Sequence, residues 1–86
     1  MRHARDCDLD RLEDLLASLR ALPGLVEKKR GVFYRKSKSF LHFHEDPKGL
    51  FADLSNGPGG VDERIDVTDP AGRQALLAAI RDRLAT

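Results

Sequence analysis

The stretch Ser39–Glu45, which reads Ser-Phe-Leu-His-Phe-His-Glu, constrains the fold of this chain more than any other segment. Bulky apolar side chains and histidines alternate along it. Successive side chains of an extended strand point to opposite faces of a sheet. The segment therefore predicts a central strand with two different faces: Leu41 and Phe43 on one, and Phe40, His42 and His44 on the other.

Two other segments have the period of an amphipathic helix. Between Leu9 and Leu22, leucines recur at spacings of three and four residues. Asp8 is the predicted N-cap of this helix, and the Pro-Gly pair that follows Leu22 is expected to end it. Close to the other end of the chain, Asp69 and Pro70 form a typical helix start. The apolar stripe of this second helix consists of Leu76, Leu77, Ile80 and Leu84.

Three more segments have strand character. Val32–Lys36 precedes the central strand, and a tight turn at Ser37 and Lys38 is expected to join the two. After the central strand, Asp46–Gly49 has the sequence Asp-Pro-Lys-Gly, which matches the residue preferences of a type I turn. A glycine-rich loop at residues 56–60 separates the last two predicted strands, Leu50–Ser55 and Val61–Val67.

This order of elements predicts a single α+β domain over residues 1–86. We expect a two-layer sandwich of helix, four-stranded antiparallel meander and helix, with both helices on one face of the sheet. A chain of 86 residues has the size of one domain. No apolar run approaches the roughly 20 residues that span a bilayer, and the N-terminus lacks the apolar stretch of a signal peptide. We therefore expect a cytoplasmic protein with no membrane partner.

The turn at Asp46–Gly49 leaves two registers open for the strands on either side. If Asp46 lies opposite Gly49, His42 faces Asp53 and shares a face with it. A bulge after the turn would instead shift the pairing by one residue and put Asp53 on the face of Phe43. The first register separates apolar from polar side chains more cleanly. Because a slip exchanges a whole hydrophobic set between core and solvent, we predict that register.

The face of the sheet away from the helices, here called the open face, is the predicted functional surface. Contiguous exposed apolar area tends to mark an interface. We therefore expect a non-enzymatic binding or interaction module that uses this face to bind a protein partner or a second copy of the chain. The open face is predicted to carry Phe33, Arg35, Phe40, His42, His44, Phe51 and Asp53.

Two chemical alternatives involve the histidines of this face. Asp53 could orient His42 for proton transfer, which would make the protein a small enzyme. His42, His44 and Asp53 could also supply nitrogen and oxygen ligands to a metal ion. Since no cysteine or second carboxylate is placed to complete a metal site, we predict no metal and no cofactor.

A third alternative is nucleic-acid binding. The chain contains a basic run without acidic residues at Lys28, Lys29, Arg30, Arg35, Lys36 and Lys38, with aromatic residues beside it. Basic grooves lined by aromatic side chains bind single-stranded nucleic acids. The formal net charge of only +1 argues against a general polyanion binder, so this function is not the favoured one.

Short motifs resemble those of the small bacterial MmcQ/YjbR-like proteins. They are Leu-Pro-Gly-Leu-Val-Glu at residues 22–27, the strand Lys-Ser-Phe-Leu-His-Phe at residues 38–43, and the closing helix. The resemblance extends from Leu9 to Leu84. It implies a bacterial protein with a two-layer fold and a twisted antiparallel sheet, in a family often labelled DNA-binding. It implies no catalytic residues.

Overall fold

The computed structural model describes residues 2–57 and 60–85. Residues 58 and 59 of the predicted glycine-rich loop lie outside this part of the chain. The described helices are α1 (Asp6–Asp10), α2 (Glu13–Arg20) and α3 (Pro70–Leu84). The described strands are β1 (Arg2–His3), β2 (Val26–Lys29), β3 (Val32–Arg35), β4 (Lys38–Asp46), β5 (Gly49–Leu54) and β6 (Glu63–Asp66). None of these helices is long and apolar enough to span a membrane.

The strands form one antiparallel sheet in which β2, β3, β4, β5 and β6 are neighbours in chain order. The additional strand β1 pairs with β4, with Arg2 opposite Glu45 and His3 opposite His44. Because β5 occupies the other edge of β4 at these positions, β1 continues the edge that β3 begins. In residues 2–57 and 60–85 the sheet therefore has six strands, where the sequence predicted a meander of four.

The predicted two-layer α+β architecture is confirmed, with the helices on one face of the sheet. The leucines of α1 and α2 and the apolar stripe of α3 join Leu41 and Phe43 of β4 in a single core. The side chains of Leu41 and Phe43 are 0% and 2% exposed, so the central strand has one fully buried face. Burial of these apolar side chains is the main stabilising contribution to a domain of this size.

The first predicted helix is present in two parts. The chain leaves helical geometry between α1 and α2, and Leu12 is the N-cap of α2. Asp8 is not an N-cap as predicted. It lies at the third position of α1, where Oδ2 accepts a 2.9 Å hydrogen bond from the backbone N–H of Arg5, the actual N-cap residue. The carboxylate thus satisfies one of the donors left unpaired at a helix start.

The predicted register between β4 and β5 is confirmed in full. Asp46 lies opposite Gly49, His42 opposite Asp53, and Phe43 opposite Ala52. Gly49 has a φ of 144°, and a Cβ at this position would overlap the side chain of Thr68. Glycine therefore allows the turn to close without a bulge.

The turn between β3 and β4 was predicted at Ser37 and Lys38 and lies one residue earlier. The turn is formed by Lys36 and Ser37, whose φ angles of 51° and 66° match the positive values that a type I′ turn requires. A bulge then pairs Phe33 with Leu41. This slip moves Phe33 from the open face into the core, where it is fully buried. Val32 and Tyr34, on either side of Phe33, are only half-buried.

The charged segment Val26–Lys29, which comes before β3, forms strand β2. No strand was predicted there from the sequence. Charged side chains are common on edge strands, because they discourage pairing with other chains. Glu27 of β2 accepts two hydrogen bonds from the Arg20 guanidinium of α2, at 2.6 and 3.1 Å. It also accepts one from the backbone N–H of Gly31, at 3.0 Å. These contacts connect the edge strand to α2.

The packing of α3 against β6 leads to a prediction at Gly72. Glycine within a helix is ordinarily replaced by alanine with a gain in stability. Here a Cβ would overlap the Asp66 carbonyl oxygen. We expect Gly72→Ala to lower the free energy of unfolding by about 1–3 kcal/mol, measured by urea denaturation. The exposed Gln74→Ala variant in the same helix is the control and should change stability by less than about 0.5 kcal/mol. A stabilising Gly72→Ala variant would contradict the packing described.

Candidate metal centre

All three histidines of the chain lie together on the open face. His42 and His44 are two residues apart on β4 and therefore point to the same face, and His3 on β1 lies directly opposite His44. One ring nitrogen from each histidine lies within 4.8 Å of the other two. The ring centroids are separated by 4.7 to 5.9 Å. We call these residues the histidine cluster.

Several nitrogens of the histidine cluster are buried. Nδ1 of His42 and both ring nitrogens of His44 have no hydrogen-bond partner among the described residues. A buried polar atom without a partner destabilises a fold by about 1–3 kcal/mol. A ligand that accepts nitrogen lone pairs would offset this cost.

Asp53 of β5 lies next to the histidine cluster and is itself only 7% exposed. Its carboxylate accepts two hydrogen bonds from the guanidinium of Arg64, the residue directly opposite on β6, at 2.8 and 3.1 Å. These hydrogen bonds hold the pKa of Asp53 below its ordinary value, against the opposing effect of burial. The carboxylate is therefore charged and fixed in position at neutral pH.

His44 is the histidine closest to this carboxylate. Its Nε2 lies 2.9 Å from Oδ2 of Asp53, although the ring N–H does not point at the oxygen as a hydrogen bond requires. Burial lowers the pKa of His44, and this effect exceeds the opposite effect of the Asp53 charge. The imidazole is therefore neutral near pH 7, which is the form that binds metal ions.

His42 and Asp53 are opposite each other in the β4–β5 ladder, as predicted, but the side chain of Asp53 does not contact that of His42 in the expected way. Asp53 is opposite His42 across the ladder, and yet its carboxylate contacts His44, which lies diagonally across. Diagonal neighbours on one face of a sheet are within reach of long side chains. A proton-transfer pair on this face would consist of Asp53 with His44 rather than with His42.

Only part of the predicted open face is assembled there. His42, His44, Phe51 and Asp53 lie together, and Phe51 is half-buried opposite His44. Phe33 belongs to the core because of the register slip, and Phe40, the additional residue at the bulge, is 6% exposed and also packs in the core. Arg35 contacts α3, where Nη1 donates a 3.1 Å hydrogen bond to the Arg83 carbonyl. The open face is therefore more polar than predicted.

The structure divides the predicted basic run into two groups. The first group consists of Lys28, Lys29 and Arg30. The Arg30 guanidinium lies 2.9 to 3.3 Å from carboxylate oxygens of Asp6, Asp10 and Glu13. Lys28 lies above the ring of Tyr34, 5.4 Å from its centroid, and Lys29 is exposed on the edge strand. The second group lies at the turn between β3 and β4 and consists of Arg35, Lys36 and Lys38.

Two residues of the site were missed in the sequence analysis. His3 reaches the histidine cluster through β1, a strand of two residues that is too short to show any periodicity. Arg64 lies in the predicted strand Val61–Val67, and its role follows from the pairing of β6 with β5. An arginine directly opposite an aspartate would have been a usable signal if that register had been known.

Comparison with protein-family models, characterised proteins and solved structures gives no match. The resemblance to MmcQ/YjbR-like proteins therefore stays a prediction, and the site is interpreted from its own geometry.

The contact between Arg64 and Asp53 predicts a change in acid stability. A carboxyl group with a lowered pKa stabilises the fold above its unfolded value of about 3.8, and this contribution is lost as the pH falls through the folded-state pKa. In Arg64→Gln the pKa of Asp53 rises, so we expect acid unfolding to begin at a higher pH. The measurement is circular dichroism against pH in the presence of EDTA.

The control for this prediction is Arg11→Gln, which removes the same charge from an exposed position on the helical layer. It should shift the acid-unfolding midpoint less than Arg64→Gln does. The pKa of the Asp53 carboxyl can also be followed directly by carbon NMR. An unchanged value in Arg64→Gln would show that the guanidinium does not hold this carboxylate in its charged form.

Proposed function

We propose, contrary to the prediction of no metal from the sequence, that the protein is a binding module that holds a divalent transition-metal ion on the open face of its sheet. The observation that carries this proposal is the convergence of the histidine cluster. Three imidazoles from two strands present nitrogens within 4.8 Å of one another, and Nδ1 of both His42 and His44 is buried with no hydrogen-bond partner among the described residues. Ring nitrogens of bound histidines lie about 2.0–2.1 Å from Zn²⁺, so small side-chain rotations would complete the site.

Asp53 and Arg64 support such a site from outside the ligand set. A histidine that binds a metal through one nitrogen generally donates the other N–H to a carboxylate or carbonyl. His44 is close to this arrangement, because its Nε2 lies 2.9 Å from Oδ2 of Asp53. A rotation of the ring that aligned this N–H with the carboxylate would leave Nδ1 for the metal. Arg64 in turn holds Asp53 by two hydrogen bonds. His44 is thus the ligand whose orientation the protein controls best.

The ligand type restricts the metal. Imidazole nitrogens favour Zn²⁺, Cu²⁺, Ni²⁺ and Co²⁺ over Mg²⁺ and Ca²⁺, which prefer oxygen ligands. Three protein ligands leave a coordination position open on a tetrahedral ion. His3 is exposed, so this position would be accessible from solvent. We therefore expect a reversible metal site and not the closed four-ligand site of a structural zinc domain.

The other predicted functions receive less support from the structure. Association through an aromatic open face is weakened because Phe33 and Phe40 pack in the core. An enzyme based on His42 and Asp53 is weakened because the carboxylate is held by Arg64 and faces His44. Docking of a protein partner or a second copy stays a secondary proposal, which sedimentation with and without metal would test.

The direct test is isothermal titration of the chain with ZnCl₂, after removal of any histidine tag. We expect one Zn²⁺ per chain. The variants His3→Gln, His42→Gln and His44→Gln should each weaken binding by about 100-fold, since each removes one of three ligands. Cys7→Ser is the matched control, because it changes an exposed metal-binding side chain outside the cluster. Unchanged affinity in all three histidine variants would refute the proposal.

A second prediction concerns the carboxylate behind the cluster. Asp53→Asn keeps the shape of the side chain but removes the charge that faces His44. We expect Zn²⁺ affinity to fall by about 10-fold to 100-fold, as is typical for outer partners of metal-bound histidines. Asp62→Asn, on the exposed segment before β6, is the control with the same chemical change. An equal loss of Zn²⁺ affinity in the control would show a general effect of charge and contradict a specific role of Asp53.

A further inference from the structure

A second functional feature lies at the other end of β4. The turn between β3 and β4, the end of β5 and the C-terminal part of α3 enclose an open groove of about 640 Å³, here called the hairpin groove. Its lining includes Arg35, Lys36, Lys38 and Arg83, together with polar groups of Ser55 and Asn56. The histidine cluster contributes no residue to this lining, so the two sites are separate.

The hairpin groove concentrates positive charge in a chain whose net charge is only +1. Four cationic side chains line it, and none of the described lining residues is acidic. Glu63 lies 2.8 Å from Arg83 and offsets one of these charges. Lys36 and Lys38 are exposed at the rim. The groove is therefore an electropositive concavity that would attract an anionic ligand.

Contacts within the protein hold the two arginine side chains of the groove in place, and the tight turn fixes the backbone of Lys36. Lys36 is one of the two central residues of the tight turn, with its backbone in the left-handed region. The Arg35 guanidinium lies 5.9 Å from the centre of the Phe40 ring and is hydrogen-bonded to the Arg83 carbonyl. Arg83 is hydrogen-bonded to Asn56 and to Glu63. A preorganised set of donors loses little conformational entropy when a ligand binds.

The chemistry of the hairpin groove selects the ligand class. Lysine and arginine are the usual partners of phosphate oxygens, and hydroxyl and amide groups complete such sites. The volume lies within the 300–1,000 Å³ range that is typical of small-molecule pockets. We propose that the hairpin groove binds a phosphate monoester with an organic body of nucleotide size.

A small ligand fits the groove better than a long nucleic acid does. A strand of nucleic acid needs a continuous track of positive charge. The basic run does not supply one, because Arg30 is paired with three acidic side chains and Lys28 lies against Tyr34. The cations at the groove are a compact group at one end of the sheet.

The test is a titration of the isotope-labelled chain with adenosine 5′-monophosphate, followed by amide NMR in EDTA. The chelator removes metal, so binding of phosphate through an ion at the histidine cluster cannot produce the signal. We expect shifts at the turn between β3 and β4 and at the C-terminal part of α3. Adenosine without phosphate and inorganic phosphate alone should each bind at least about tenfold more weakly, since each lacks one half of the ligand.

Two charge-reversal variants provide a matched comparison. Lys36→Glu/Lys38→Glu reverses two cations of the hairpin groove, and Lys28→Glu/Lys29→Glu reverses two cations of the same basic run outside it. Both change the net charge by the same four units from its native value of +1. We expect the first variant to lose at least about tenfold in affinity and the second to lose less than about threefold. Circular dichroism checks that both are folded.

Three results would overturn the proposal. Equal losses in the two variants would show a general effect of charge. Equal binding of adenosine and its monophosphate would show that phosphate is not recognised. Much tighter, length-dependent binding of an oligothymidylate would identify the ligand as single-stranded nucleic acid. The His42→Gln variant should bind the monophosphate normally, which keeps this test independent of the proposed metal site.

Discussion

The pairing of β4 with β5 is the constraint on which the rest of the structure depends. The turn at Asp46–Gly49 closes with these two residues opposite each other, and this fixes every pair along the ladder. Leu41 and Phe43 consequently point to the helices, and His42 and His44 point away from them. A shift of one residue would put Asp53 on the buried face with Phe43 and move Ala52 and Leu54 to the open face. The core and the carboxylate beside the histidine cluster therefore depend on the same register.

The polar side of this ladder is stabilised through a chain of contacts across three strands. Asp53 is almost completely buried, and a buried carboxylate needs a charged or hydrogen-bonding partner. Arg64 supplies that partner from the edge strand β6 by donating to both carboxylate oxygens, and Nε2 of His44 lies 2.9 Å from Oδ2. The outermost strand of the meander thereby fixes the surroundings of a central histidine. This arrangement explains why a site on an uncovered sheet can still have buried polar atoms.

The two proposed sites use opposite ends of β4 and different chemistry. Near one end, imidazole nitrogens suit a transition-metal ion, and near the other, lysine and arginine side chains suit phosphate oxygens. The bulge at Phe40 contributes to this separation. It turns Phe40 into the core and places Arg35 against the Arg83 carbonyl, beside the hairpin groove. A regular ladder would have left both residues on the face that carries His42.

The sequence by itself determined the features that depend on local periodicity and local turn chemistry. Alternation along β4, the leucine stripes, the start of α3 at Asp69 and the turn at Asp46–Gly49 were all sufficient to predict the two-layer α+β fold and the juxtaposition of His42 and Asp53. The tertiary structure alone decided the features that depend on pairing between distant segments. The β3–β4 turn uses Lys36 and Ser37 with positive φ angles, which their residue types do not signal. His3 joins the cluster through a strand of two residues, and Arg64 reaches Asp53 across a ladder. Such backbone pairings are set by the packing of the whole sheet, so no local pattern in the sequence specifies them.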